Sequence, residues 1–299
     1  MVDVGCLAAF DHLQWLRTGA SAAESLNCNQ LTVSRHVKKS QQVFGVTLKR
    51  KAAEWHLDGD TTLLCAERHV HQRYRWDFDR TLRIDAQHWL RDSYSSLKID
   101  GWQQGNMNYL EYERPVYLLQ NRIIDAWLCS SPDHPTDPSL TTIQLCSMPS
   151  YLVVKDSHPL AALGSSATLA DVRPYPIQPL PKDSFPVFQA VLESLGLNAT
   201  LDDRLPASPL PIEDLIVGIA SPLTIGLYGP GHIVLPCELP ILVGDALVVR
   251  SEYSEHPRLR KLVCDLLGHI RSVAAGLPAV TILDGAALPL NAKFKSLVS

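Results

Sequence analysis

Ala22-Ala23-Glu24-Ser25-Leu26-Asn27-Cys28-Asn29-Gln30-Leu31-Thr32-Val33-Ser34-Arg35-His36-Val37 is the stretch whose reading decides the fold. Two short amphipathic helices joined by a tight polar turn fit it. The first turns Ala22, Ala23 and Leu26 inward, and the second turns Val33 and Val37 inward at i,i+4 spacing. Asn29 suits the N-cap of the second helix, because its side-chain oxygen can accept orphan N–H groups of the first turn. Gln30, Thr32, Ser34, Arg35 and Lys38 are then left to point outward. These side-chain types hydrogen-bond base edges and phosphates, so the pattern predicts a helix-turn-helix with double-stranded DNA as its partner.

Charge runs the same way. Between Glu24 and Glu54 there is no acidic residue, while Arg35, Lys38, Lys39, Lys49, Arg50 and Lys51 give that window a charge of +6. Residues 1–80 hold 11 Lys and Arg against 9 Asp and Glu, in a chain whose net charge is −4. A basic stripe on a small N-terminal unit, joined to a mildly acidic larger one, suits phosphate contact by the first part alone. At 299 residues, 46% hydrophobic and 19% charged, the chain is expected to form one small and one larger globular domain.

A first helix is expected near residues 5–18, with Leu7, Phe10, Leu13 and Leu16 on one stripe. After the helix-turn-helix, Lys49-Arg50-Lys51 and Trp55-His56-Leu57 read as the arms of a basic wing. Asp58 has the composition of an N-cap for a linker helix, whose stripe of Leu63, Ala66, Val70 and Tyr74 is expected to pair with a second copy. From Leu82 onward short apolar strands alternate with helices, an α/β signature. Strands are expected at 82–84, 108–110, 124–128, 151–154, 224–227 and 246–249, and helices near 187–195, 212–219 and 257–273. Pro-rich stretches at 174–186 and 206–211 read as surface loops.

In these residues the chain resembles the LysR-type transcriptional regulators. Ala22-Ala23-Glu24, Leu26, Gln30, Val33-Ser34-Arg35, Phe44-Gly45-Val46 and Leu48 match the DNA-binding pattern of that family. Ile124-Asp125 with its apolar strand, Tyr151-Leu152-Val153-Val154, and Ser157-His158-Pro159-Leu160-Ala161 are similar to motifs of its second domain. The chain departs from the pattern at Leu31, Lys49 and Lys51, in Leu57-Asp58-Gly59-Asp60-Thr61, in Ser221-Pro222-Leu223-Thr224-Ile225-Gly226, and in a linker helix several residues short. The resemblance implies a winged helix-turn-helix over 1–57, a linker helix over 58–80, and an effector domain over 81–299. That last domain would be a two-subdomain α/β unit like a periplasmic binding protein, with subdomain I at 81–153 and 251–299 and subdomain II at 154–250.

The same resemblance implies which residues act. Gln30, Thr32, Ser34 and Arg35 are expected to read DNA, and Lys38, Lys39, Arg50 and Lys51 to hold phosphates. In the cleft between subdomains the expected ligand residues are Gln87 and His88 after the first strand, Ser130 and Ser131 after the third, Ser184 and Phe185 from subdomain II, and Thr224. Tyr112 to Arg114 is either an anion ligand or a cap on the sheet. The implied effector is small and polar or anionic, and the implied assembly is a homodimer or homotetramer. A rival class is a solute-binding or enzymatic α/β domain with an N-terminal dimerisation module; the basic window from Ser25 to Ala53 speaks against it.

Seven cysteines, an odd number with no C-x-x-C pair, predict a reduced cytoplasmic protein with mostly buried thiols, in which a redox pair such as Cys129 and Cys146 is conceivable. There is no P-loop, G-x-S-x-G or G-x-G-x-x-G. His69-x-His71 faces two sides of a helix, so neither a metal nor another cofactor is expected, and no apolar run is long enough to cross a membrane.

Overall fold

The computed structural model describes residues 3–111, 113–198 and 210–284. The N-terminal unit has helices α1 (Val4–Leu16), α2 (Gly19–Ser25) and α3 (Gln30–Phe44), then a hairpin of β1 (Thr47–Lys51) and β2 (Glu54–Asp58). Phe10, Ala22, Val33 and Val37 close its core, together with Leu64 of α4 (Thr62–Asp77). The hairpin turns at Ala52 and Ala53, with φ of 46° and 70°, the left-handed pair that matches strand twist.

The linker helix begins later than expected. Asp58 ends β2, and Asp60 Oδ1 instead accepts from the Thr62 amide at 2.9 Å. The inward face of α4 is Leu64, Arg68, Gln72, Arg75 and Trp76, whereas Leu63, Val70 and Tyr74 lie exposed. Trp76 enters the core of the larger domain and stacks on Tyr253 at 4.6 Å.

The larger domain follows in the order β3 (Leu82–Ala86), α5 (Arg91–Tyr94), β4 (Trp102–Gln104), α6 (Glu113–Gln120), β5 (Ala126–Ser131), β6 (Leu140–Gln144) and β7 (Cys146–Lys155). Then come α7 (Leu169–Val172), α8 (Pro186–Ser194), β8 (Gly218–Ala220), β9 (His232–Arg250), α9 (Pro257–Val273) and β10 (Thr281–Ile282). One mixed sheet runs β10-β7-β9-β5-β3-β4, with β6 on β9 and β8 on β7. β3 is parallel to β4 and β5, while β9 is antiparallel to β5, β6 and β7.

β7 and β9 cross between two cores. Met148 and Leu247 belong to the core with Ile84 and Leu262, whereas Leu152 and Leu239 belong to the core with Val172 and Phe188. Gly244 sits where these strands come closest: a Cβ there would lie 2.0 Å from the Cys146 carbonyl oxygen.

Several expected elements differ. Asn108–Leu110 forms no strand, only a bridge between Tyr109 and Gln87. Residues 225–228 are a 3₁₀ turn, and 212–219 is a 3₁₀ turn followed by β8. The 19-residue β9 shows in the sequence pattern only in its last third, because Pro236, Glu238 and Pro240 break its apolar run.

Candidate DNA-contact face and ligand cleft

The N-terminus of α3 is organised by Asn29, whose Oδ1 accepts from the Thr32 amide at 2.8 Å and from the Thr32 hydroxyl at 3.0 Å. Thr32 is therefore partly engaged in its own helix cap. Gln30, Ser34, Arg35, Lys38 and Lys39 form an exposed row. Their opposite face, Val33, Val37, Ser40 and Phe44, is buried, and Ser40 Oγ donates to the Cys6 carbonyl at 3.2 Å. Gln30 folds back over Gly19 of α2, where a Cβ would lie 2.9 Å from Gln30 Nε2. On the wing Arg50 lies over the Trp55 ring at 5.7 Å and Lys51 is exposed. Lys49 pairs with Asp58 at 2.5 Å, and that bond holds the Asp58 carboxyl below its ordinary value.

This head is anchored to its own body by buried polar contacts. Nearly all of α1 is buried, including Asp11, His12 and Gln14. Asp11 Oδ1 accepts from Arg68 Nε at 2.9 Å, and Asp11 Oδ2 lies 3.5 Å from Arg83 of β3. Trp15 Nε1 donates to Asp85 Oδ2 at 2.5 Å, while Asp85 Oδ1 accepts from the amides of Ala86 and Met107. Burial pushes the Asp85 carboxyl up to about 6 against the pull of these donors. Gly105 makes the approach possible, since a Cβ there would lie 2.0 Å from Asp85 Oδ2. Burial pushes the His12 imidazole down to about 3, with the Arg83 charge adding to it.

The rim of the junction is ionic. Arg17 reaches Asn108 and Glu111, and Arg114 reaches Glu54 at 3.0 Å and the Gln14 carbonyl at 3.2 Å. Arg114 thus belongs to the head–body contact; Tyr112 lies outside the described residues. Trp15 and Leu16 share a core with Tyr109, Leu118 and Trp127, so the end of α1 is part of the larger domain. The sequence signal for this was three polar residues, Asp11, His12 and Gln14, inside a helix otherwise fit for a core.

Between the two cores of the larger domain opens a cavity of about 590 Å³. His88, Ser130, Ser131, Phe185 and Thr224 line it, as do Trp89, Asp133, Phe188 and Tyr228. Gln87 and Ser184 do not. Gln87 is buried, with Oε1 accepting from the Ser130 amide at 2.7 Å, and Ser184 Oγ donates to the Leu110 carbonyl. Trp89 and Phe185 approach at 5.3 Å. Asp133 reaches across the cleft and caps α8, accepting from the Val187 amide at 2.7 Å and the Phe188 amide at 3.3 Å. Burial pushes its carboxyl up to about 6. Nothing in the local sequence around Asp133 marked it, since its partners lie more than 50 residues on.

Cys129 and Cys146 are free and buried, and burial pushes both thiols up, that of Cys146 to about 12. A thiol in that state is a poor nucleophile. Among the described residues no group of three His, Cys, Asp or Glu side chains is placed to hold a metal ion.

No protein-family profile and no curated protein matches the chain. Solved structures do. A full-length OxyR variant from Pseudomonas aeruginosa is similar at a TM-score of 0.54 and 17% identity, over 91% of this chain and 96% of that one. The probable transcriptional regulator PA0477, also from Pseudomonas aeruginosa, is similar at a TM-score of 0.54 and 16% identity, over 91% and 97%. A hydrogen-peroxide-bound OxyR mutant from Corynebacterium glutamicum is similar at a TM-score of 0.50 and 14% identity, over 92% and 96%. The chain has the fold of these proteins: a winged helix-turn-helix, a linker helix and a two-lobed α/β domain.

Proposed function

We propose that the chain is a LysR-type, sequence-specific DNA-binding transcriptional regulator, governed by a small molecule held between its two α/β lobes. The observation that carries this is the exposed row Gln30, Ser34, Arg35, Lys38 and Lys39 on the second helix of a helix-turn-helix, backed by a basic wing. A recognition helix lies in the major groove, where Arg35 can read guanine bidentately and Gln30 adenine, while Lys38, Lys39, Arg50 and Lys51 meet phosphates. The fold shared with PA0477, a probable transcriptional regulator, supports the same reading.

In this reading residues 1–57 bind DNA, 58–80 link and pair, and 81–299 receive the effector. The exposed stripe Leu63, Ala66, Val70 and Tyr74 supports pairing of linker helices into a homodimer or homotetramer. Two-fold pairing sets two recognition helices about 34 Å apart, on half-sites one turn apart. No catalytic role is assigned. Among the described residues no helix is long and apolar enough to cross a membrane, and a cytoplasmic setting fits a DNA partner.

Coupling between cleft and head has a short route. Asp85 of β3 holds Trp15 of the head, and two residues on Gln87 holds the Ser130 amide at the cavity wall. A ligand that moves the end of β3 therefore displaces α1 through a rigid strand, and by linkage DNA must in turn alter ligand affinity. The test is a gel-shift titration against the protein's own upstream DNA at several salt concentrations. A cognate complex that outlasts salt able to strip random DNA is the expected result; equal affinity for both at every salt would refute specific recognition.

A further inference from the structure

The geometry points to an aromatic effector that carries no negative charge, a neutral or cationic ring compound, as the ligand of the cleft; this rests on the reading of that cleft as the effector site. Three observations carry it. First, aromatic rings form part of the walls: Trp89, Phe185, Phe188 and Tyr228 are among the residues that line about 590 Å³, room for one small aromatic molecule.

Second, the charge is of one sign. Among the described residues lining the cavity, Asp92 and Asp133 are the carboxylates and there is no Lys or Arg; His88 is the one base. The adjoining smaller cavity ends at Asp245, a third carboxyl, which accepts from the Tyr94 hydroxyl at 2.7 Å. An entering carboxylate would meet like charges with no lining cation to offset them.

Third, the natural seat for an anion is already filled. The N-terminus of α8 points the amides of its first turn at the cleft, the arrangement that holds anions. Here Asp133 from the opposite lobe occupies it, with both oxygens bonded to the amides of Val187 and Phe188. A ligand carboxylate could take that seat only by expelling a buried carboxylate of the chain itself. The choice between polar and anionic ligands left open by the sequence is thereby narrowed.

The test is calorimetry on the full-length protein at pH 7.5 with indole, phenethylamine and phenylacetate as probes of similar size and different charge. Indole or phenethylamine should bind at least tenfold more tightly than phenylacetate. Phe185→Ala should weaken that binding at least fivefold. Asp133→Ala should raise phenylacetate affinity at least tenfold by uncovering the α8 amides, and Asp133→Asn, which keeps a cap, should raise it less. Phenylacetate binding the unaltered protein as tightly as the other two would overturn the charge assignment. Binding by none of the three would overturn the ligand class, as would binding indifferent to Phe185→Ala. Gel shift on the same samples reads DNA binding separately, so loss of the regulator reading is distinguishable from loss of this one.

Discussion

Replacing Asp11 by Asn tests whether the N-terminal head is anchored to the body. The Arg68 guanidinium is fully buried, its Nε donates to Asp11 Oδ1 at 2.9 Å, and its Nη1 has no acceptor. Arg83 is less dependent, because it also donates to the Ile123 carbonyl at 2.9 Å. Asn is nearly isosteric, so the change removes charge and little volume. It leaves Arg68 as a buried cation without a counter-ion, which costs about 3–5 kcal/mol. In a chain of this size about 2 °C of Tm accompanies each kcal/mol, so a fall of about 6–10 °C is expected. Urea unfolding followed by circular dichroism measures the loss. The double variant Asp11→Asn, Arg68→Met removes both charges and should recover at least about 2 kcal/mol of it. Faster proteolytic cleavage near the exposed Gly59-Asp60 should accompany the single variant as the head loosens. A loss under about 1 kcal/mol, or a strictly additive double variant, would refute the reasoning.

Further expectations concern DNA, assembly and pH. Arg35→Ala should weaken operator binding by about 1–3 kcal/mol without changing Tm, read by gel shift and thermal melting. Arg50→Gln and Lys51→Gln should each flatten the log–log salt dependence of binding by about 0.9, and Lys49→Gln by less, because Asp58 already engages its ammonium. Leu63→Glu with Val70→Glu should turn a dimer into a monomer in light scattering; an unchanged mass would remove the linker stripe as the interface. His12 is neutral in the fold, with its imidazole at about 3, so below about 6.5 the unfolded chain takes up a proton that the folded chain does not. Stability is therefore lost as pH falls, by about 2 kcal/mol at pH 5 from this group. Comparing urea unfolding at pH 7.5 and 5.0 for the natural protein and His12→Gln isolates that share as the difference between the two stability losses.

Much of the fold was legible because periodicity is local. The apolar rows in α1, α3 and α9 become their buried faces, and Asn29 caps as its position demands. What was not legible depended on contacts distant in sequence. The face of α4 opposite the pairing stripe buries Arg68, Gln72 and Arg75 against Asp11 and Asp125. A buried charge looks like a surface charge until its partner is known. At the cleft, residue type and position pointed to His88, Ser130, Ser131, Phe185 and Thr224, which do line the cavity. Gln87 and Ser184 are instead consumed by backbone partners, and Asp133 is visible only once α8 has been brought opposite it.

The way α1 and α4 are built into the body bears on how far this protein can be taken apart. Proteins of this architecture invite the making of chimeras, one head joined to another's larger domain. Here a cut at residue 60 would strand Asp11, His12 and Trp15 of the head without Arg68, Gln103 and Asp85, all of which lie beyond it. The transferable unit is therefore discontinuous: the head, the inward face of α4, the end of β3 and the turn at Gly105 travel together. Grafting the head alone would expose the buried end of α1, and a graft that carries these contacts along keeps the strand that joins cleft to head.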